Sequence, residues 1–165
     1  MQDLTPTLMR YRFVDRVVGF TPPPDATITI EKTFSAGDDC FTGPVPDVVA
    51  VSLLIETVAM AGGHLLLRAL AEDRLPLLLK VEDALVLAPV RPGETIQARV
   101  ALRGAGKAAE PAIVAQTEGE ASVEGRPVLR CRLLYACVRV PGLLSEGSHP
   151  RSGWALERAR SSVRL

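Results

Sequence analysis

The sequence predicts an α+β fold in which one long helix lies against an antiparallel β-sheet, and three observations carry the prediction. From Val48 to Leu67 the only formal charge is Glu56, and apolar residues fall on all sides of the helical wheel rather than in one stripe. A helix of that kind has to be buried, in a protein core or in a membrane. The segments around it alternate apolar and polar residues, as half-buried antiparallel strands do. Their order is two strands, one helix, then about four strands, which segregates a single helix onto one face of the sheet.

The first nine residues read as loop or a short helical turn. Phe13 to Phe20 (FVDRVVGF) is rich in Val and Phe and predicts a strand. Pro22, Pro23 and Pro24 then force a turn, because proline has no N–H to give a ladder. Ala26 to Phe34 alternates, with Ile28, Ile30 and Phe34 on one side and Thr27, Thr29, Glu31 and Thr33 on the other. Ser35 to Pro46 (SAGDDCFTGPVP) is a loop of turn residues leading into the helix, expected over Asp47 to Leu70 with Asp47 as N-cap. Good helix formers fill that run, while Gly62 and Gly63 weaken it but let another backbone come close. Twenty almost uncharged residues also meet the length rule for a bilayer span. A central carboxylate is expensive in lipid, however, and alternating strands follow, so the residues favour a core helix.

Leu75 to Leu87 returns as extended chain, and residues 88–94 (APVRPGE) turn it at Pro92-Gly93. Thr95 to Arg103 alternates with Ile96, Ala98, Val100 and Leu102 inward. Between Ala112 and Val123 the apolar side is Ile113, Ala115, Thr117, Ala121 and Val123, and Gln116, Glu118 and Glu120 are wet. Pro127 to Val140 turns Leu129, Cys131, Leu133, Tyr135 and Cys137 one way and Arg130 and Arg132 the other. The pattern stops there, which gives a single domain over 1–140 and an extension over 141–165. Residues 148–165 hold four Arg and one Glu and read as a solvated tail.

At 165 residues, 47% apolar and 23% charged, the chain can bury a real core as one domain. Nineteen basic and nineteen acidic residues cancel, which gives no ground for nucleic-acid binding. Cys40, Cys131 and Cys137 lack metal-ligand spacing, and the last two would stand ~20 Å apart on one strand. Reduced thiols in a cytoplasmic protein fit that count, and MQDLTPTLMRYRF has no signal-peptide pattern. The residues call for no cofactor, no metal and no membrane.

Four motifs add a family resemblance. Arg10 to Val17 (RYRFVDRV) resembles the opening strand RYPFLLVDRV of the 3-hydroxyacyl-[acyl-carrier-protein] dehydratases of fatty-acid synthesis. Phe41 to Pro46 (FTGPVP) sits where that family has F-x-G-H-F-P. Leu54 to Gly63 (LIETVAMAGG) is similar to its helix, LMIEAMAQAGG. Lys80 to Ala84 (KVEDA), followed by Pro89 to Glu94 (PVRPGE), resembles KIDNARFKRPVVPGD. The resemblance covers about Met9 to Val140 and implies the hotdog fold, a long central helix wrapped by an antiparallel sheet. It further implies a homodimer, or a heterodimer with an active paralogue, with sheets joined edge to edge and acyl-thioester tunnels along the interface. The thioester, on carrier protein or coenzyme A, would meet Gly43, Pro44, Val45 and Pro46 of the loop and Ser52 and Met60 of the helix.

Family members pair a loop histidine, which removes the proton beside the thioester carbonyl, with a helix carboxylate that handles the departing hydroxyl. Backbone amides near the helix start polarise the carbonyl. The carboxylate is present here as Glu56. The histidine is not, since Pro44 holds its place and offers neither a base nor an N–H. The loop into the helix is about two residues shorter and lacks the family's glycines, and Leu85 to Pro89 (LVLAP) replaces the basic RFKRP. His64 follows Glu56 by eight residues, roughly 80° round and 12 Å along a helix, too far to pair with it in one chain. It fits a core or interface histidine, and His149 lies in the tail without a visible partner. Ser52, four residues before Glu56, is placed to donate a hydrogen bond to it. The main expectation is a dehydratase-like protein that acts on or binds 3-hydroxyacyl thioesters with an altered site, and two alternatives stand beside it. The second reading is an acyl-CoA thioesterase that needs only Glu56. The third is a non-catalytic partner of a histidine-bearing hotdog protein.

Overall fold

The computed structural model describes residues 12–38, 40–41, 47–70, 74–107 and 112–140. In chain order the elements are β1 Arg16–Thr21, β2 Thr27–Thr33, α1 Val51–Ala69, β3 Arg74–Val86, β4 Thr95–Lys107, β5 Ala112–Val123 and β6 Arg126–Arg139. The strands form one sheet in the order β1-β2-β4-β5-β6-β3, every neighbouring pair antiparallel. Helix α1 packs on one face, against β2 to β6. Strands β1 and β3 are the two edges. The extension at 141–165 lies outside the described residues.

Period-two alternation places the core. Ile28, Ile30 and Phe34, then Ile96, Ala98 and Val100, then Leu129, Cys131, Leu133, Tyr135 and Cys137 are all buried under α1. Removing one of the large ones, Leu133→Ala for instance, deletes buried methyls and leaves a cavity, typically a loss of about 2–5 kcal/mol. Lys32 continues the row of Ile28 and Ile30 and is buried with them. Its charge is met by Asp15, whose Oδ1 lies 3.1 Å from Nζ, and by the Phe34 ring 4.9 Å away. Asp15 also accepts from the Thr33 N–H at 2.8 Å, and Phe13 packs edge-on against Phe34. The Asp15 N–H also donates to the Glu31 carbonyl at 2.9 Å, and β1 proper begins at Arg16 rather than Phe13.

Helix α1 is held close to the sheet at two points. A methyl carbon on Gly119 of β5 would stand 2.3 Å from Val58 Cγ1, and one on Gly62 would stand 2.4 Å from Tyr135 Oη. The phenol uses that room to donate to the Ala59 carbonyl at 2.9 Å. Burial pushes the Tyr135 phenol well above its ordinary acidity range. Thr117 Oγ1, fully buried beside it, has no hydrogen bond of good geometry among the described residues. It acts on the phenol only as a downward pull that burial outweighs.

Two expectations about the helix are corrected. It starts at Val51, its N-cap residue is Ala50, and no side chain caps it. Asp47 is exposed and too far back to cap. The Val49 N–H is taken by the Val90 carbonyl at 2.7 Å, which keeps the chain extended until that bond is made. Nor is the helix buried all round. Leu54, Val58, Ala61, Leu65 and Leu66 are buried, whereas Val51, Ser52, Met60 and Arg68 are exposed. A single sheet can cover only one side of a cylinder.

Candidate functional site

Ser52, Glu56, Met60 and Gly63 recur at intervals of four, four and three, so they form one stripe along α1. A methyl carbon on Gly63 would point at Pro76 Cγ of β3, 3.8 Å off, so the Gly63 end of the stripe lies over β3. Ser52 and Met60 are exposed, Met60 to 41%, and Glu56 between them is half-buried. The structure thus brings together the three candidate site residues of the helix. Gly43, Pro44, Val45 and Pro46 lie outside the described residues. Thr57 points away, its Oγ1 donating to the Leu53 carbonyl at 2.8 Å. His64, two turns beyond Glu56, is half-buried and makes an interaction of its own.

Strand β3 borders the stripe. Among the described residues it pairs with β6 on one side only, with register shifts around Leu79 and Glu82. Along it Leu77, Leu78, Leu79, Val81 and Leu85 are exposed, Leu79 to 56%. Edge strands are normally short, charged or covered. This one is thirteen residues long, and although Lys80, Glu82 and Asp83 interrupt it, the Leu75–Leu79 and Ala84–Val86 runs are apolar.

Where β3 ends, a cleft of about 320 Å³ opens between it and the start of α1, lined by Val48, Val49, Val51, Leu54, Val86, Leu87, Ala88 and Pro89. Every lining residue is apolar. Among the described residues nothing accepts from the Val51 and Ser52 amides of the uncapped helix start, the donors that ordinarily take a cap or a ligand. The wall from Leu87 to Glu94 is bonded in several directions. Leu87 N–H donates to Val128 O at 2.9 Å, Gly93 N–H to Phe34 O at 2.7 Å, and Val90 O takes the Val49 N–H. Arg126 donates to Pro89 O at 3.2 Å and lies 3.5 Å from Glu94 Oε1, and Glu94 Oε2 accepts from Arg91 N–H at 2.6 Å. The sequence does not mark this part of the site. Arg126 follows a hairpin turn and looks like any strand-end arginine, and only the fold sets it beside Pro89.

The cysteines are poor nucleophiles here. Burial pushes the Cys131 thiol up to about 11, with the Asp83 carboxylate adding to the rise. Burial also raises Cys40 and Cys137, against a downward pull from Arg74 on the latter. Thiols so placed stay protonated and unreactive near neutral pH.

Comparison with solved structures identifies the architecture as the hotdog fold. A thioesterase-superfamily member from Thermus thermophilus is similar with a TM-score of 0.57 and 19% identity, over 71% of this chain and 84% of that one. A thioesterase from Haemophilus influenzae is similar with a TM-score of 0.56 and 18% identity, over 81% and 82%. A hypothetical thioesterase from Streptococcus pneumoniae, solved with coenzyme A, has a TM-score of 0.58 and 7% identity, over 75% and 85%. No protein-family model and no curated protein matches the sequence. The fold implied by the resemblance is therefore present, with one helix over a six-stranded antiparallel sheet.

Proposed function

We propose that the protein hydrolyses acyl thioesters, acyl-coenzyme A foremost, as a homodimer joined through β3, with Glu56 as its catalytic carboxylate. The observation that carries the reading is the position of Glu56. It is the only acid on α1, half-buried, on the stripe whose Gly63 end lies over edge strand β3. A second copy pairing along β3 would cover Leu77, Leu79 and Leu85 and satisfy the free backbone groups of the edge. It would also close the stripe from Ser52 to Gly63 into a slot suited to an acyl chain. Fold neighbours that are thioesterases support hydrolysis over dehydration, as does Pro44, which cannot act as a base.

In the proposed reaction, Glu56 takes a proton from a water molecule whose oxygen attacks the thioester carbonyl carbon. The developing oxyanion is received by backbone N–H groups at a helix start, either chain's, and collapse breaks the C–S bond. The thiolate leaves with the proton that Glu56 had taken. The test is release of free thiol from a panel of acyl-coenzyme A esters by the purified protein. Glu56→Gln should lower kcat by about 10²–10⁴-fold, the usual contribution of a general base. A Gln variant as fast as wild type sinks the proposal. The order of the dehydratase-like motifs, with Glu56 among them, favours a second reading in which a 3-hydroxyacyl thioester is dehydrated with help from a histidine-bearing paralogue. That reading predicts an enoyl product only when the paralogue is added.

A further inference from the structure

We infer that Arg126 is a positioning residue for thioester hydrolysis, acting on the start of α1 through the Leu87–Glu94 turn. The inference rests on the function proposed above. A helix start is ordinarily fixed by a cap, and a cap consumes the amides it fixes. Here no side chain caps α1, and its approach is held one step earlier, by the 2.7 Å bond from Val49 N–H to Val90 O. Two amides that a thioester oxygen could use thereby have no acceptor among the described residues, while the backbone that presents them is anchored.

That anchor is only as firm as the turn that carries Val90. Besides the Leu87 and Ala88 bonds to Val128 O and the Glu94 N–H bond to Arg91 O, the turn is braced by Gly93 N–H to Phe34 O, by Glu94 Oε2 from Arg91 N–H, and by the Arg126 guanidinium across Pro89 O and Glu94. Among the described residues Arg126 alone joins Pro89 to Glu94 through its side chain, and it does so from the first residue of β6. The forked guanidinium suits that task, since one planar group serves a carbonyl and a carboxylate together. The pair is too exposed for its charge attraction to add much stability. What it fixes is geometry. Pro89 also lines the apolar cleft, so a loosened turn would shift both the wall and the amides that face it.

The experiment compares wild type, Arg126→Ala, Arg126→Lys and Glu94→Gln, with Glu56→Gln as reference. It reads kcat and KM on the best acyl-coenzyme A substrate, and amide hydrogen exchange at Val49, Val51 and Ser52 by NMR. Arg126→Ala is expected to speed exchange at Val49 and to lower kcat by about 10–100-fold, the scale of a misplaced reacting group, at little-changed KM. Lysine, which reaches one acceptor but cannot fork, should recover part of the loss. The pH profile of kcat should not move. Glu94→Gln should shift both readouts the same way and less, and it serves if Arg126→Ala does not fold. Unchanged kcat, or unchanged exchange at Val49, overturns the positioning role. A wild type that hydrolyses no acyl-coenzyme A overturns the proposed function instead, and exchange at Val49 still decides whether the brace exists.

Discussion

Replacing Gly62 by alanine should weaken the fold, although the same change in an open helix strengthens it. Alanine gains roughly 0.8–1 kcal/mol over glycine in a helix interior. At this position the new methyl would lie 2.4 Å from Tyr135 Oη and 3.0 Å from Cζ, so α1 has to rise or the ring has to move. Overpacking of that kind takes about 1–3 kcal/mol, leaving a net loss of up to roughly 2 kcal/mol. Tyr135→Phe alone forfeits the bond to the Ala59 carbonyl, about 1 kcal/mol. In the double variant the methyl occupies the space the hydroxyl left, with Cζ needing to give only a few tenths of an ångström. The two changes should therefore be coupled favourably by about 1–2 kcal/mol. Equilibrium urea unfolding of the four proteins, with m-values checked for constancy, measures the cycle. Additive losses, or an alanine variant more stable than wild type, would refute the close seating of helix on sheet.

Other outcomes follow from single features. Leu79→Lys places a charge on the exposed apolar edge and should convert a dimer into a monomer in sedimentation, with thiol release falling alongside; an unchanged dimer means that β3 is not the joint. Cys131 keeps its proton to about pH 11 when folded, whereas the unfolded chain ionises near 9. The folded state then binds more protons than the unfolded one between those values, so stability should fall by about 3 kcal/mol across pH 9–11 and level off above. Cys131→Ala should flatten that slope, as denaturant titrations at successive pH values would reveal. Glu124 sits at φ 49° in the two-residue β5–β6 turn, beside Gly125 at φ 81°. Asparagine tolerates such a φ better, so Glu124→Asn should raise stability by about 0.5–1 kcal/mol in thermal unfolding.

Alternation made the sheet legible. The inward rows of β2, β4, β5 and β6 were all readable because each strand has one wet face, and the single charge-poor run identified the helix. Lys32 broke the rule, since a lysine at an inward position reads as outward until Asp15 and Phe34 are seen around it. The start of α1 was misread for a related reason. Asp47 is a good cap by type, but a long-range bond from Val49 to the 88–94 turn decides where the helix begins. Glu56 was legible as a lone acid, yet its half-exposed setting was not, because one helix on one sheet leaves a side open. Arg126, Glu94 and the cleft walls come from distant parts of the chain, which no local pattern joins.

The order of strands also has a consequence in time. β3 leaves the ribosome immediately after the helix, but β6, its one mate among the described strands, is the last of those strands to be made. At ~5–20 residues per second a strand with Leu77, Leu78, Leu79 and Leu85 exposed waits seconds for its neighbour, open to other nascent chains. A version truncated after β5 should therefore be captured by chaperones or precipitate, a vulnerability that arises from synthesis rather than from the finished protein.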